Sequence, residues 1–321
     1  MRPGSNPLRT LRHRAIGLAT AALLAACATV TAGPAAASPS GTSSGIDDFG
    51  CRPSAAHPRP LVLLHGTFTN PADQWVVAGP YFAALGYCVF ELDYGQYAGI
   101  PAVHAIGPIE SSAQQLAAYV DQVLAATGAA QVDIVGHSQG GGPLPRYYLK
   151  FLGGAPKVHT LVGIAPTNHG GTASGLFTVA QQVPGATQVL GTACPACVEQ
   201  FVGSDFNARL DAGGDTVPGV RYTTIVTRLD ELVTPVTNQF LAGPHVHNVV
   251  VQDLCPLDVS EHVLIGTVDG VAFHEAANAL DPAHARPTTC ADTLGGVTGL
   301  TSGLVSGLAP GLVPGLMPGL V

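Results

Sequence analysis

Charge is what this sequence has least of. Only 11% of its 321 residues are Asp, Glu, Lys or Arg, against about 25% in an ordinary soluble domain. Basic groups are the scarcer kind: of 13, four are Arg2, Arg9, Arg12 and Arg14. Without those four, nine basic groups face 21 acidic ones, a net charge of −12 for the chain beyond residue 37. Such a balance argues against nucleic acid as a partner, because a phosphate backbone is held by clustered Lys and Arg. Long apolar runs are also missing. The longest, residues 15–28, falls short of the ~20 residues that span hydrocarbon. Yet the chain is 46% hydrophobic, too apolar to be disordered throughout.

What is plentiful is glycine and proline, 40 and 26 residues, and much of it lies at the two ends. The four early Arg, the small apolar run and Ala35-Ala36-Ala37 before Ser38 together read as a secretory signal peptide over 1–37. Leu24-Ala25-Ala26-Cys27 also resembles a lipoprotein box, which would leave a lipid on Cys27; free secretion is favoured. A polar Gly/Ser/Pro linker, 38–50, follows. At the other end, 293–321 repeats Gly-Leu at 299, 303, 307, 311, 315 and 319, with Pro310, Pro314 and Pro318. Pro at every fourth residue opposes a helix, so this segment reads as a low-complexity apolar tail with surface attachment or self-association as its sharper role.

Either cleavage takes Cys27 out of the pairing count and leaves six cysteines, an even number that suits an oxidising compartment. Joining Cys51 to Cys88, Cys194 to Cys197 and Cys255 to Cys290 is the simplest of about fifteen connectivities. A C-x-x-C pair also serves zinc or thiol exchange, but no second ligand pair and no βαβ start accompany Cys194.

The body, 51–292, alternates short β-branched runs with longer helical stretches, which predicts an α/β fold: a mostly parallel sheet of about six strands with helices on both faces. Strands are expected at 60–64, 87–92, 131–135, 158–164, 221–227 and 248–252. Helices are expected at 71–85, 110–127, 139–151 and 268–280, the second of them starting on Ser and stopping at Gly128. Such sheets carry their chemistry just beyond the carboxyl ends of the strands.

Beyond the third strand stands Gly136-His137-Ser138-Gln139-Gly140, a G-x-S-x-G nucleophile elbow between strand and helix. Gly41-Thr42-Ser43-Ser44-Gly45 also fits the pattern but has neither element around it. A serine hydroxyl needs a histidine to take its proton and a carboxylate to fix that histidine's tautomer, in the chain order Ser, acid, His. Asp230 follows the fifth strand and is the expected acid, ahead of Glu231, Asp253 and Asp258. His262 follows the sixth and is the expected base. His245 and His247 precede that strand, and His274 lies inside the last helix. The oxyanion needs two N–H donors: Gln139, just after the nucleophile, and Thr67 in the loop His65-Gly66-Thr67-Phe68, its hydroxyl assisting and Phe68 the alternative. His65 is expected to be a hydrogen-bonded support.

Together HGTFTNPADQW, GYCVFELDYG, VDIVGHSQGG, the CPAC segment with QFVGSDFNARL, and YTTIVTRLDELVTP resemble the secreted class 2 lipases of actinobacteria, α/β-hydrolases similar to Candida antarctica lipase B. The likeness runs over about 51–292. It implies an extracellular carboxylic-ester hydrolase that needs no cofactor or metal, with Ser138, Asp230 and His262 at the triad positions and three disulfides at the six cysteines. The partner implied is an ester or lipid, at a lipid–water interface, and the most fitting activity is triacylglycerol hydrolysis through an acyl-enzyme. Short-chain or polyester hydrolysis is the alternative, and a catalytically dead cell-surface binding module is the rival of another class. Residues 168–210 exceed a simple crossover and carry Leu176, Phe177 and Val179, which suits a lid or acyl-pocket wall.

Overall fold

A computed structural model of the chain describes residues 45–97, 99 and 103–293. The signal-peptide, Cys27 and Gly-Leu tail expectations lie outside these residues. Six strands form one parallel sheet in the order β2-β1-β3-β4-β5-β6: β1 Leu61–Leu64, β2 Val89–Leu92, β3 Val132–His137, β4 Val158–Ile164, β5 Arg221–Val226 and β6 Val246–Val250. The first helices are α1 Pro71–Gln74, α2 Ala78–Ala84, α3 Ile109–Thr127 and α4 Pro143–Phe151. Between β4 and β5 come α5 Leu176–Gln182, α6 Ala186–Ala193, α7 Pro195–Glu199 and α8 Asp205–Asp211. After β6 follow α9 Val251–Leu254, α10 His262–Thr267 and α11 Gly270–Leu280.

The central strands are buried on both faces, as a parallel sheet requires. On one face Val62, Leu64 and Ile134 pack with Leu116 and Val120 of α3 and Leu144 and Tyr148 of α4. On the other, Leu61, Leu63 and Val135 pack with Phe82 of α2 and Phe273 and Ala276 of α11. Each such side chain withdraws enough apolar surface to contribute about 1.5–3 kcal/mol. Disulfides join Cys51 to Cys88, Cys194 to Cys197 and Cys255 to Cys290.

Local chemistry moves several element boundaries. The helix expected over 71–85 is two helices, because Pro80 has no N–H to give to residue 76; the chain restarts at Ala78 and holds Pro80 in a first turn. The helix expected at 139–151 is a 3₁₀ turn, Ser138–Gly141, and then α4, which opens on Pro143. Ser111 and Ser112 do not cap α3. Its first N–H, on Ile109, is met by the Glu199 carboxylate at 2.8 Å, while Gly128 closes the helix at φ 73° as expected. The expected sixth strand begins two residues earlier, at Val246, and its end, 251–252, is helical in α9. Residues 45–50, expected within the linker, pack against the sheet: Ile46 bridges to Val89, and the Phe49 ring lies 5.1 Å from that of Phe90. Apolar side chains in an otherwise polar stretch draw 45–50 into the fold.

The strand order reverses at β1, which lies between β2 and β3. A crevice therefore opens beyond the carboxyl ends of β1 and β3. Gly66 and Ser138 stand there, and a Cβ on Gly66 would lie 3.3 Å from that of Ser138.

Candidate active site

β3 delivers Ser138 through a turn that only glycine neighbours permit. Ser138 itself takes φ 55°, the left-handed region that an L-residue occupies only under constraint. A Cβ at Gly136 would overlap the Gly140 carbonyl, and one at Gly140 would overlap the carbonyls of Leu64 and His65. Strand, turn and helix are packed against one another, so the serine is held up from the sheet.

Around Ser138 the acid and base expected from the sequence come together. His262, the first residue of α10, stands with Nε2 3.0 Å from Ser138 Oγ and Nδ1 2.7 Å from Asp230 Oδ2. All three residues are buried. Asp230 Oδ1 accepts from the N–H groups of Leu232 (2.9 Å) and Val233 (2.7 Å), and Oδ2 also accepts from Gln239 Nε2 (3.1 Å). Burial by itself raises the Asp230 carboxyl. The hydrogen bond and charge of His262, with the two backbone donors, outweigh it and hold the group below its ordinary 3.8. An ionised Asp230 fixes the proton on His262 Nδ1 and leaves Nε2 free to accept from the serine.

Two residues with no role expected from their place in the sequence buttress His262. His137 Nε2 donates to the His262 carbonyl at 2.8 Å, and Gln74 Nε2 donates to the Gly266 carbonyl at 2.6 Å in the same helix. The His137 and His262 rings lie 5.0 Å apart. Burial, then repulsion from His262, pushes His137 down to about 3, so His137 stays neutral near pH 7. Gly266 makes room for this ring, which a Cβ there would penetrate. Glu231 is turned to the His262 N–H (3.3 Å), and Thr227 Oγ1 ties the acid's loop to the Ser260 carbonyl at 2.7 Å.

Opposite, the Thr67 N–H has no acceptor among the described residues. Gln139 is the second residue of a 3₁₀ turn, whose first N–H groups have no partner within the turn. Phe68, the alternative donor, gives its N–H to the His104 carbonyl at 3.0 Å. The Thr67 hydroxyl, expected to assist, donates to Gln139 Oε1 at 2.8 Å instead. Gln200 closes this arrangement: its Nε2 is 3.0 Å from both Gln139 Oε1 and Thr67 Oγ1, and its Oε1 accepts from Thr167 at 2.7 Å. The sequence signal was its place three residues after the CPAC segment, at the end of α7, which spacing alone does not connect to residues 67 and 139.

The other histidines stand apart. His65 is buried, stacked on Tyr94 at 4.3 Å, with Nδ1 2.9 Å from the Gly66 carbonyl. His247 lies within β6 rather than before it, and His274 meets Thr288 at 2.8 Å. His169, Asp211 and Asp215 have ligand atoms within 4.8 Å of one another. The Arg146 guanidinium already occupies the position of a cation, 3.0 and 3.3 Å from the two carboxylates. Hydrogen bonds to Asp211 and Asp215 push His169 up to about 9. The cluster is an ion network.

Residues 58–265 match the sequence model of the family described as Lipase (class 2). The chain belongs to the class 2 lipase family. A triacylglycerol lipase of Pseudarthrobacter phenanthrenivorans is 31% identical over 166 residues, 49% of each chain. A triacylglycerol lipase of Burkholderia plantarii is also 31% identical over 166 residues, 49% of this chain and 44% of that one. The chain spans about half the length of these curated relatives. Among solved structures, lipase B of Aspergillus fumigatus shares the fold with TM-score 0.56 and 21% identity, over 79% of this chain and 62% of that one. The fold is that of α/β-hydrolases.

Proposed function

We propose that this chain hydrolyses carboxylic esters, triacylglycerols being the substrate class that suits it best, with Ser138 as nucleophile, His262 as general base and acid, and Asp230 as the group that orients His262. The observation that carries the reading is the bonded series Ser138–His262–Asp230 at 3.0 and 2.7 Å, with the serine on a strained elbow. Ser138 Oγ attacks the ester carbonyl carbon while His262 Nε2 takes its proton. The developing oxyanion is met by the N–H groups of Thr67 and Gln139. Collapse breaks the ester C–O bond, and His262 returns the proton to the departing alkoxide. Water then attacks the acyl-Ser138 ester with the same proton relay, releasing the acid. Throughout, Asp230 stays ionised and balances the imidazolium.

The segment 168–210 supports an acyl-facing role. α5 and α6 contribute no buried residue, and Leu176, Val179 and Val189 point to solvent. Its root is fastened to the acid's loop, where the Ala173 N–H donates to the Leu232 carbonyl (2.9 Å). Its far end carries Gln200, which holds the oxyanion pair. An apolar cover attached to both halves of the site suits a substrate presented at a lipid–water interface. The six cysteines paired in disulfides fit an oxidising compartment, so export through the 1–37 segment belongs to the same proposal. Among the described residues no helix is long and apolar enough to cross a membrane.

A fluorophosphonate probe tests the reading. One label per chain, on the peptide bearing Ser138, is expected; an unlabelled chain would instead fit a hydrolase fold used only for binding.

A further inference from the structure

At the sheet edge opposite Ser138, an open cleft of about 600 Å³ lies where β5 and β6 begin, closed by α11 and the segment after it. Its volume is in the ~300–1,000 Å³ range of small-molecule sites. Arg221 opens β5, His245 stands just before β6 and Val246 opens it, and Arg286 also lines the cleft. The length of β5, about 17 Å at ~3.3 Å per residue, separates this cleft from the loop that carries Asp230.

The charges in it are unusual for so acidic a chain. Among the described residues Arg221 is the one Lys or Arg whose side chain makes no hydrogen bond or ion pair. The others meet carboxylates, carbonyls or, for Arg286, the His274 ring at 3.4 Å. Arg221 is also partly buried and has no counter-ion among the described residues. His245 and His247 beside it have no side-chain partner either. The one carboxylate in the lining, Glu275, accepts from the neutral Thr288 hydroxyl at 2.7 Å and pairs with neither arginine among the described residues. Val246, Leu254 and Pro287 supply an apolar wall.

We propose that this cleft is a binding site for an aliphatic carboxylate, with the headgroup on Arg221 and Arg286 and the hydrocarbon chain along the wall of Val246, Leu254 and Pro287. A guanidinium presents parallel N–H groups that match a carboxylate in a two-point fork, and the apolar lining discriminates in favour of an anion that carries a chain. The site does not depend on Ser138 and stands whether or not the chain is an esterase.

Isothermal titration of octanoate into the native protein, Arg221→Gln, Arg221→Lys and Arg221→Gln/Arg286→Gln tests it, with inorganic phosphate as competitor and thermal midpoints as the check on folding. The native protein is expected to bind octanoate at least about tenfold more tightly than Arg221→Gln, as loss of a charge-assisted contact implies. Arg221→Lys should fall between them, the double variant should lose the site, and phosphate should not displace octanoate. Equal binding by native and double variant overturns the proposal, as does no native binding at millimolar octanoate. Displacement by phosphate also overturns it, since the cleft would then read charge alone.

Discussion

Replacing Gln200 by Leu removes the one side chain that holds both oxyanion candidates. The residue is buried and gives hydrogen bonds of 3.0 Å to Gln139 Oε1 and to Thr67 Oγ1, so the variant keeps the volume and deletes the bonds. A net hydrogen bond contributes about 0.5–1.5 kcal/mol. Two of them, lost from the side chains that hold the Thr67 and Gln139 backbone in place, amount to an upper bound of about 1–3 kcal/mol, or ~5–160-fold in rate. The N–H donors themselves remain, which keeps the loss below the ~100–1,000-fold of deleting a donor outright. The assay is steady-state hydrolysis of p-nitrophenyl butyrate with a thermal melt of the same sample. kcat should fall by that factor with KM changed by no more than about threefold, because ground-state binding does not use the oxyanion donors. A variant that melts lower but keeps native kcat would refute the positioning role and leave Gln200 as packing alone.

Burial, then the Asp47 carboxylate, pushes half-buried Glu91 up from 4.5 to about 8. The folded chain therefore keeps a proton that the unfolded chain has released, and stability should decline as pH rises from about 4.5 towards 8. At ~1.4 kcal/mol per tenfold the ceiling is about 5 kcal/mol, and solvent screening reduces it to about 2 kcal/mol. Glu91→Gln should flatten urea midpoints across that range; an unchanged slope would assign the dependence to other groups. Cys255→Ser/Cys290→Ser opens a loop with sequence separation 35 and should cost ~3–4 kcal/mol in urea unfolding; a loss under 1 kcal/mol would mean the unfolded chain is not constrained by this bond. Leu176→Ser/Val179→Ser should lower hydrolysis of emulsified long-chain triglyceride several-fold while leaving soluble tributyrin nearly untouched, and equal losses on both would remove α5 from substrate presentation.

The sheet was legible because each strand is a short apolar or β-branched run. The elbow was legible for a steric reason: only Gly136 and Gly140 fit where carbonyl groups of the neighbouring turn approach. The broken first helix was legible in principle, since Pro80 announces the missing donor. The capping of α3 by Glu199 was not, because the two lie 90 residues apart in sequence. The same limit hid His137, Gln200 and Gln239. His137 and Gln200 act through hydrogen bonds to residues far away in the chain, Gln239 through one to a loop that only the fold brings beside it, and a lone polar residue in a mostly apolar sequence carries no periodicity. Ile46 and Phe49 were overlooked for the opposite reason, a polar neighbourhood that outweighed two apolar side chains.

The most direct test of the central claim is kcat for p-nitrophenyl butyrate with Ser138→Ala, measured beside the native enzyme at matched folded concentration. If Ser138 forms the acyl bond, activity falls by a factor of about 10⁴ or more, leaving only what binding and the oxyanion donors supply. A Ser138→Ala protein that retained native turnover would place the nucleophile elsewhere and contradict the account.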